Sequence, residues 1–388
     1  MLASGMHADL SRFIRPGDGV IAGQACAEPQ ALMEALVAQR EAYSGASLFL
    51  GVNYAGIVRP AHADHLRISA YCGAGHNRAL ADAGVLDIHP HPYSQLAALI
   101  RRRKIPGDVA LIQVSPPNAR GEYSLGLAVD YLPPAIETAR AVIAEVNDQV
   151  PWTRTERLFR KEDFALIVES SRAPAMPPAT RAGAAEAAIA RHAAAFIPDG
   201  ATLEFGLGIL PDAVCGALGD RKRLKVHSGT IGDGVADLMH CGAIARVVCG
   251  QLIGSRKLFD FARDNPVLEM RSTEYTHDPR VLSQIERFVA INSAVEIDLT
   301  GQVNAEVAKG SYLGAVGGAL DFIRAAGFSP GGVSLLVLPA ARIVRSLSGP
   351  VSTPRSEAGV VVTERGAADL RGCTLNERIR RLTAISEL

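Results

Sequence analysis

The sequence contains one tryptophan, Trp152, and no run approaching the roughly 20 consecutive apolar residues that a membrane-crossing helix needs. Its start, Met1-Leu2-Ala3-Ser4-Gly5-Met6-His7, has neither the basic beginning nor the apolar centre of a secretory signal. The six cysteines, Cys26, Cys72, Cys215, Cys241, Cys249 and Cys373, form no Cys-x-x-Cys pair and no zinc-finger spacing. Reduced, mostly buried thiols in a cytoplasmic setting are therefore expected. His89 and His91 flank Pro90 without a third ligand at a recognisable spacing, so no metal is implied. Neither sign of charge dominates, with 40 Lys and Arg against 40 Asp and Glu. That balance argues against a surface dedicated to nucleic acid or to a membrane.

What is present is ordinary for a soluble globular protein: 48% hydrophobic and 21% charged residues over 388 positions, enough for two or three domains. Abundant Ala and Gly predict small-faced, closely packed helices. Apolar strands are predicted at Gly19–Gly23, Ala46–Val52, Asp108–Val114 and Ala141–Val146. A helix from Glu28 to Leu36 carries Pro29 in its first turn. Strands apolar on both faces, alternating with helices, indicate an α/β fold with largely parallel sheets covered by helices. Pro151 to Pro178 reads as a connecting region ending in Pro174-Ala175-Met176-Pro177-Pro178, followed by an Ala-rich helix from Ala179 to Phe196. The predicted domains are 1–177 and 178–388. They repeat one logic: Gly19–Leu32 and Gly200–Val214 are each a strand, a small-residue turn, then a helix opened by Pro.

Two strand-to-helix corners stand out. Glu204-Phe205-Gly206-Leu207-Gly208-Ile209 places glycines where backbone N–H groups and a helix N-terminus favour an anion. It lacks the third Gly of a dinucleotide fingerprint and the Gly-Lys-Ser/Thr of a phosphate loop, so neither NAD nor ATP is supported. The second corner is Val226-His227-Ser228-Gly229, leading into Asp233-Gly234. His227 and Ser228 are adjacent on a strand and point to opposite faces, so they do not read as a base and its nucleophile. Asp233 is expected to cap the next helix. Ile291 to Asn304 alternates apolar and polar residues as strand, turn, strand, with Asn292, Glu296, Asp298, Gln302 and Asn304 on the polar side. Ala315-Val316-Gly317-Gly318 is a further glycine turn into a helix. Tyr54, His76, Asn77 and Tyr93 are candidates for pocket walls.

These segments, in this order, resemble the acetyl-CoA hydrolase/transferase family of class I CoA-transferases. The resemblance is carried by Glu28-Pro29-Gln30-Ala31-Leu32, Val114-Ser115-Pro116-Pro117, Val129-Asp130-Tyr131, Gly206 to Val214, His227-Ser228 with Asp233-Gly234, Ile291 to Val303, Gly317-Gly318 with Asp321-Phe322, and Val362-Thr363-Glu364-Arg365-Gly366. It implies two tandem CoA-transferase-type domains, acyl-CoA and a small carboxylic acid or other acyl acceptor as substrates, no tightly bound cofactor and a homo-oligomer. It also implies relay chemistry, in which a glutamate attacks the thioester and CoA then forms a glutamyl-CoA thioester. Gly206, Leu207, Gly208, Ile209, Ala315, Val316, Gly317 and Gly318 fall where the family contacts CoA.

The catalytic glutamate of that pattern falls on Gly229, which has no side chain to acylate. Ala315 replaces a glycine of the family's Gly-x-Gly-Gly turn, and Glu204 stands where the family usually has Gln. Glu204 is thus a candidate relocated nucleophile or general base, beside His227 and Ser228. Three readings follow: a CoA-transferase or thioesterase with a non-standard mechanism, an enzyme that transfers the acyl group directly, and a non-catalytic CoA-thioester-binding protein or inactive partner subunit.

Overall fold

A computed structural model describes residues 2–4, 8–178 and 181–388. Of the N-terminal stretch read for a secretory signal, only 2–4 are among them. Within the described residues no helix is long and apolar enough to cross a membrane, and no group of three or more His, Cys, Asp or Glu could hold a metal ion. Four of the six cysteines are buried.

The chain divides into two compact units: 1–91, 95–177 and 250–274 form the first, while 92–94, 178–249 and 275–388 form the second. One cut of this division lies at 177/178. The return of 250–274 to the first unit and of 92–94 to the second departs from the single boundary expected from sequence. Contacts, which chain order does not dictate, decide both.

The first unit is built on eight strands: β1 (Leu2–Ser4), β2 (Gly19–Ala22), β3 (Ser47–Leu50), β4 (Arg67–Ala70), β5 (Leu86–Ile88), β6 (Val109–Val114), β7 (Ala141–Asn147) and β8 (Leu166–Ser170). Their order is β1-β8-β7-β6-β2-β3-β4-β5, and every pair is parallel. β2 and β6 are wholly buried, as near-continuous apolar strands of a two-sided sheet should be. β8 lies in the stretch expected to be a connection. It pairs with β7 from Ile143↔Leu166 to Asn147↔Ser170.

The second unit contains β9 (Thr202–Phe205), β10 (Leu224–Ile231) and β11 (Ile244–Leu252) as far as Cys249, then strands Phe288–Ser293, Val333–Val337, Val360–Thr363 and Gly366–Asp369. In space they run β11, β10, β9, 288–293, 333–337, 360–363, 366–369. The pairs from β10 through 360–363 are parallel, and the last is antiparallel. The expected helix from Ala179 is Ala184–Ala194; residues 179 and 180 lie outside the described residues.

In both sheets the chain winds outward in two directions from a central pair, β2/β6 in the first and β9/288–293 in the second. Such reversal points open a crevice at the carboxyl ends of the strands. In the second unit that crevice lies between Phe205-Gly206 and Asn292-Ser293. The two corners singled out from sequence, those after β9 and β10, are neighbours on one flank of it.

Candidate active site

The parallel register sets which side chains share a face. Thr202 pairs with Phe288 and Glu204 with Ala290 on one side of β9, and Thr202 pairs with Lys225 on the other. Strand alternation then places Glu204, Asn292, His227 and Gly229 on one face. Phe288, Ala290, Leu282, Phe322, Ala325 and Ala326 form an apolar cluster on it.

Glu204 is 2% exposed. The Asn292 side-chain amide donates to its Oε2 at 2.7 Å across the reversal point. Burial outweighs that bond and pushes the carboxyl up to about 8. Glu204 therefore keeps its proton at neutral pH. Gly206 continues the strand pair, its N–H donating to Ile291 O at 2.8 Å. A methyl there would come within 2.8 Å of Asn292 Oδ1, so the close approach of Asn292 demands glycine. Gly208 has φ +119°, open only to glycine, and precedes the helix Ile209–Gly216. Leu207 is exposed. The first turn of that helix holds Asp212, whose carboxyl is raised by burial and then by the charge of Asp233. An anion arriving at this N-terminus meets the Asp212 side chain in the first turn.

His227 and Ser228 diverge as the alternation requires. His227 Nε2 lies 2.9 Å from Thr276 O and donates to it. The Ser228 hydroxyl donates to Thr230 O at 2.6 Å and accepts from Phe205 N–H at 3.2 Å. Ser228 thus ties the end of β9 to β10. The next helix is Asp233–His240 with Gly232 as its N-cap and no side-chain cap bond, so Asp233 occupies the first turn and not the expected capping position.

Gly229 and Gly318 come together on either side of one ring. A methyl on Gly229 would lie 2.9 Å from His277 Cε1 and 3.1 Å from Nε2. One on Gly318 would lie 2.5 Å from Nε2. The imidazole of His277 fills the space between these two backbones, with Phe322 and Tyr93 against it at ring-centroid distances of 4.5 and 5.1 Å. Its Nδ1 is 2.9 Å from Thr276 Oγ1. Burial, aided by His227, pushes its pKa down to about 3, so the ring is neutral.

Ala315 carries no left-handed strain; the left-handed residue of its turn is Gly317, at φ +57°. Gly317 O accepts from Tyr93 N–H at 2.9 Å, while Ser94 donates to Asp321 through its N–H and hydroxyl, at 3.1 and 2.8 Å. Residues 92–94 thus brace the glycine turn. His277 escaped sequence reasoning, and Tyr93, a candidate pocket wall from sequence, gave no sign there of its bracing contact to the glycine turn. Tyr275-Thr276-His277-Asp278-Pro279 has no motif, and its role arises only through contacts distant in sequence.

The reversal point of the first unit holds a buried polar cluster as well. The Gln24 amide donates to Asp130 at 2.7 Å, and its oxygen accepts from Val52 N–H and Tyr71 OH, each at 2.9 Å. Glu28 accepts from the N–H groups of Tyr54 and Ala55 at 2.5 and 3.1 Å. Ala25 and Asp130 have φ of +52° and +29°, conformations that a non-glycine residue holds only where its surroundings impose them. Burial raises Glu28 to about 7 and Asp130 to about 6. The Glu28-Pro29 and Val129-Asp130-Tyr131 segments build this cluster.

The family models for the acetyl-CoA hydrolase/transferase N-terminal and C-terminal domains match residues 6–164 and 254–387. A 4-hydroxybutyrate coenzyme A transferase from Clostridium kluyveri is 36% identical over 387 residues, covering 95% of this chain and 90% of that protein. The chain belongs to the acetyl-CoA hydrolase/transferase family. Among solved structures, RipA from Yersinia pestis superposes with a TM-score of 0.94 at 29% identity, covering 100% of this chain and 94% of that one. A 4-hydroxybutyrate CoA-transferase from Porphyromonas gingivalis superposes with a TM-score of 0.82 at 32% identity and the same coverage. Family and geometry agree on the architecture: largely parallel sheets, helices over them, and CoA-transferase-like structural neighbours.

Proposed function

We propose that this chain handles CoA thioesters, binding an acyl-CoA and passing the acyl group directly to water, or to a carboxylate whose mixed anhydride the released CoA thiolate then reopens at the acceptor's carbonyl, without an enzyme-bound glutamyl-CoA. The carrying observation is the His277 ring packed against Gly229: the place expected for the nucleophile has no side chain of its own, and its space is filled. Glu204, the candidate substitute, is buried and holds its proton, which suits a hydrogen-bonding acid better than a nucleophile. The relatives named as CoA-transferases support acyl-CoA as the substrate class. Gly317 and Gly318 are the proposed contacts to the CoA portion, and a homo-oligomer in the cytoplasm is the proposed setting.

The test is incubation with acetyl-CoA, followed by borohydride or hydroxylamine trapping and mass spectrometry. Thioester loss with no covalent adduct is expected. An adduct on Glu204, or on any other glutamate, overturns direct transfer. Binding without turnover, across a range of carboxylic acids, would instead make the chain a CoA-thioester-binding protein.

A further inference from the structure

We infer that His277 is the group that meets the acyl carbonyl at the Gly229 corner, donating a hydrogen bond from Nε2 to its oxygen. This rests on the proposed handling of acyl-CoA and names the residue that replaces the absent glutamate.

The ring is 2% exposed, and its Nε2 has no hydrogen-bond partner among the described residues. A polar nitrogen without a partner at the edge of so enclosed a ring calls for an explanation. Nε2 lies close to bare backbone, that of Gly229 on the Cε1 side and that of Gly318 on the Cδ2 side. Two glycines from separate elements, both placed by sequence at ligand-contacting corners, are thus what leave this nitrogen with no side chain over it. A side chain at either position would collide with it.

The orientation is fixed from behind. The Thr276 hydroxyl lies at Nδ1, and the Thr276 carbonyl is held by His227. Where that hydroxyl donates to Nδ1 and does not accept from it, the ring proton sits on Nε2. Tyr93 and Phe322 pack against the ring. A neutral imidazole with a strongly depressed pKa is a good hydrogen-bond donor and a poor base. It suits stabilising the oxygen of a carbonyl under attack better than taking a proton from the attacking group. In direct transfer to water the water oxygen bonds to the acyl carbon, the carbonyl oxygen gathers negative charge against Nε2–H, the C–S bond breaks, and the proton released by the attacking water ends on the departing sulfur, giving the carboxylic acid and CoA thiol. His277 keeps its proton throughout.

Two measurements test this. The first is binding of free CoA and of the ketone analogue of acetyl-CoA, in which a methylene replaces the sulfur and the carbonyl is kept. The intact protein is expected to prefer the ketone. His277→Phe, which keeps a ring and loses the donor, is expected to reduce that preference roughly five- to ten-fold beyond any change in free CoA affinity. His277→Gln, with an amide reaching toward the Nε2 position, is expected to restore part of it. Equal weakening of both ligands in His277→Phe would mark a structural role and overturn the inference, as would an unchanged preference. If the unaltered protein bound neither CoA nor the ketone, the proposed function would fall and the inference with it. The second measurement needs no variant. Nitrogen-15 NMR is expected to show His277 as the neutral Nε2–H form from pH 5 to 8, with its signal shifting on ketone binding. An Nδ1–H form, or no response to the ketone, overturns the assignment.

Discussion

Gly229→Glu alone is expected to destabilise the second unit and to give no glutamyl-CoA enzyme. The first added atom already lies 2.9 Å from His277 Cε1 and 3.1 Å from Nε2, with Phe322 at 3.6 Å behind. The ring cannot swing away freely, because Gly318 holds its other side and Tyr93 packs against it. Overpacking of this kind costs about 1–3 kcal/mol, and a carboxylate on an apolar face adds its own desolvation. A fall of several degrees in the melting temperature is expected. The double variant Gly229→Glu with His277→Ala is expected to regain most of that loss, giving a coupling of about 1–3 kcal/mol between the sites. Glutamyl-CoA formation is then a question for the double variant only. A single variant that melts like the parent and traps as a glutamyl-CoA adduct would show that the slot accommodates both side chains.

The coupling explains why part of this site was readable and part was not. The strands announced themselves, because β2 and β6 are buried on both faces and so are nearly all apolar. The repeat of strand, glycine turn and Pro-opened helix was readable because β2 and β9 occupy the same place, the reversal point, in their own sheets. β8 was hidden in Pro151–Pro178, where the charged turn at Lys161–Asp163 and the prolines after Ser170 mask five strand residues. Asp233 looked like a cap because Asp commonly caps, but the preceding Gly232 takes that position. The corners at Gly206, Gly229 and Gly318 were legible as glycines. What each glycine makes room for was not: Asn292 at the first, and the two sides of one His277 ring at the others. A glycine reports a missing side chain in sequence, and only the fold reports whose atoms fill the gap.

Glu204→Gln is expected to stabilise the protein increasingly as pH rises. The ordinary glutamate value is 4.5, and burial lifts Glu204 to about 8 in the folded state. Below about pH 4.5 both folded and unfolded chains carry the proton, and the group contributes no pH dependence. Between about 4.5 and 8 the unfolded chain has lost a proton that the folded chain retains, so folding stability falls as pH rises. Above about 8 the full cost is present. The gap corresponds to roughly 5 kcal/mol at most, and water entry or relaxation would reduce it to a few kcal/mol. Glutamine keeps the shape, accepts from Asn292 through its own oxygen and has no proton to lose. Urea unfolding of parent and variant is therefore expected to show little difference at pH 5, a clear gain for Glu204→Gln at pH 7 and the largest gain at pH 8.5. A difference constant across this range would mean that Glu204 is not held protonated, and an ionised carboxylate at this corner would again be a candidate nucleophile. Thioester turnover by the same variant separates the roles. A carboxyl that only anchors the Asn292 amide leaves turnover within about ten-fold, whereas loss of a general base costs on the order of a hundred- to ten-thousand-fold. Gain of stability at high pH with retained turnover would place the chemistry at the Gly229 corner, with Glu204 as the buried acid that holds the crevice in shape.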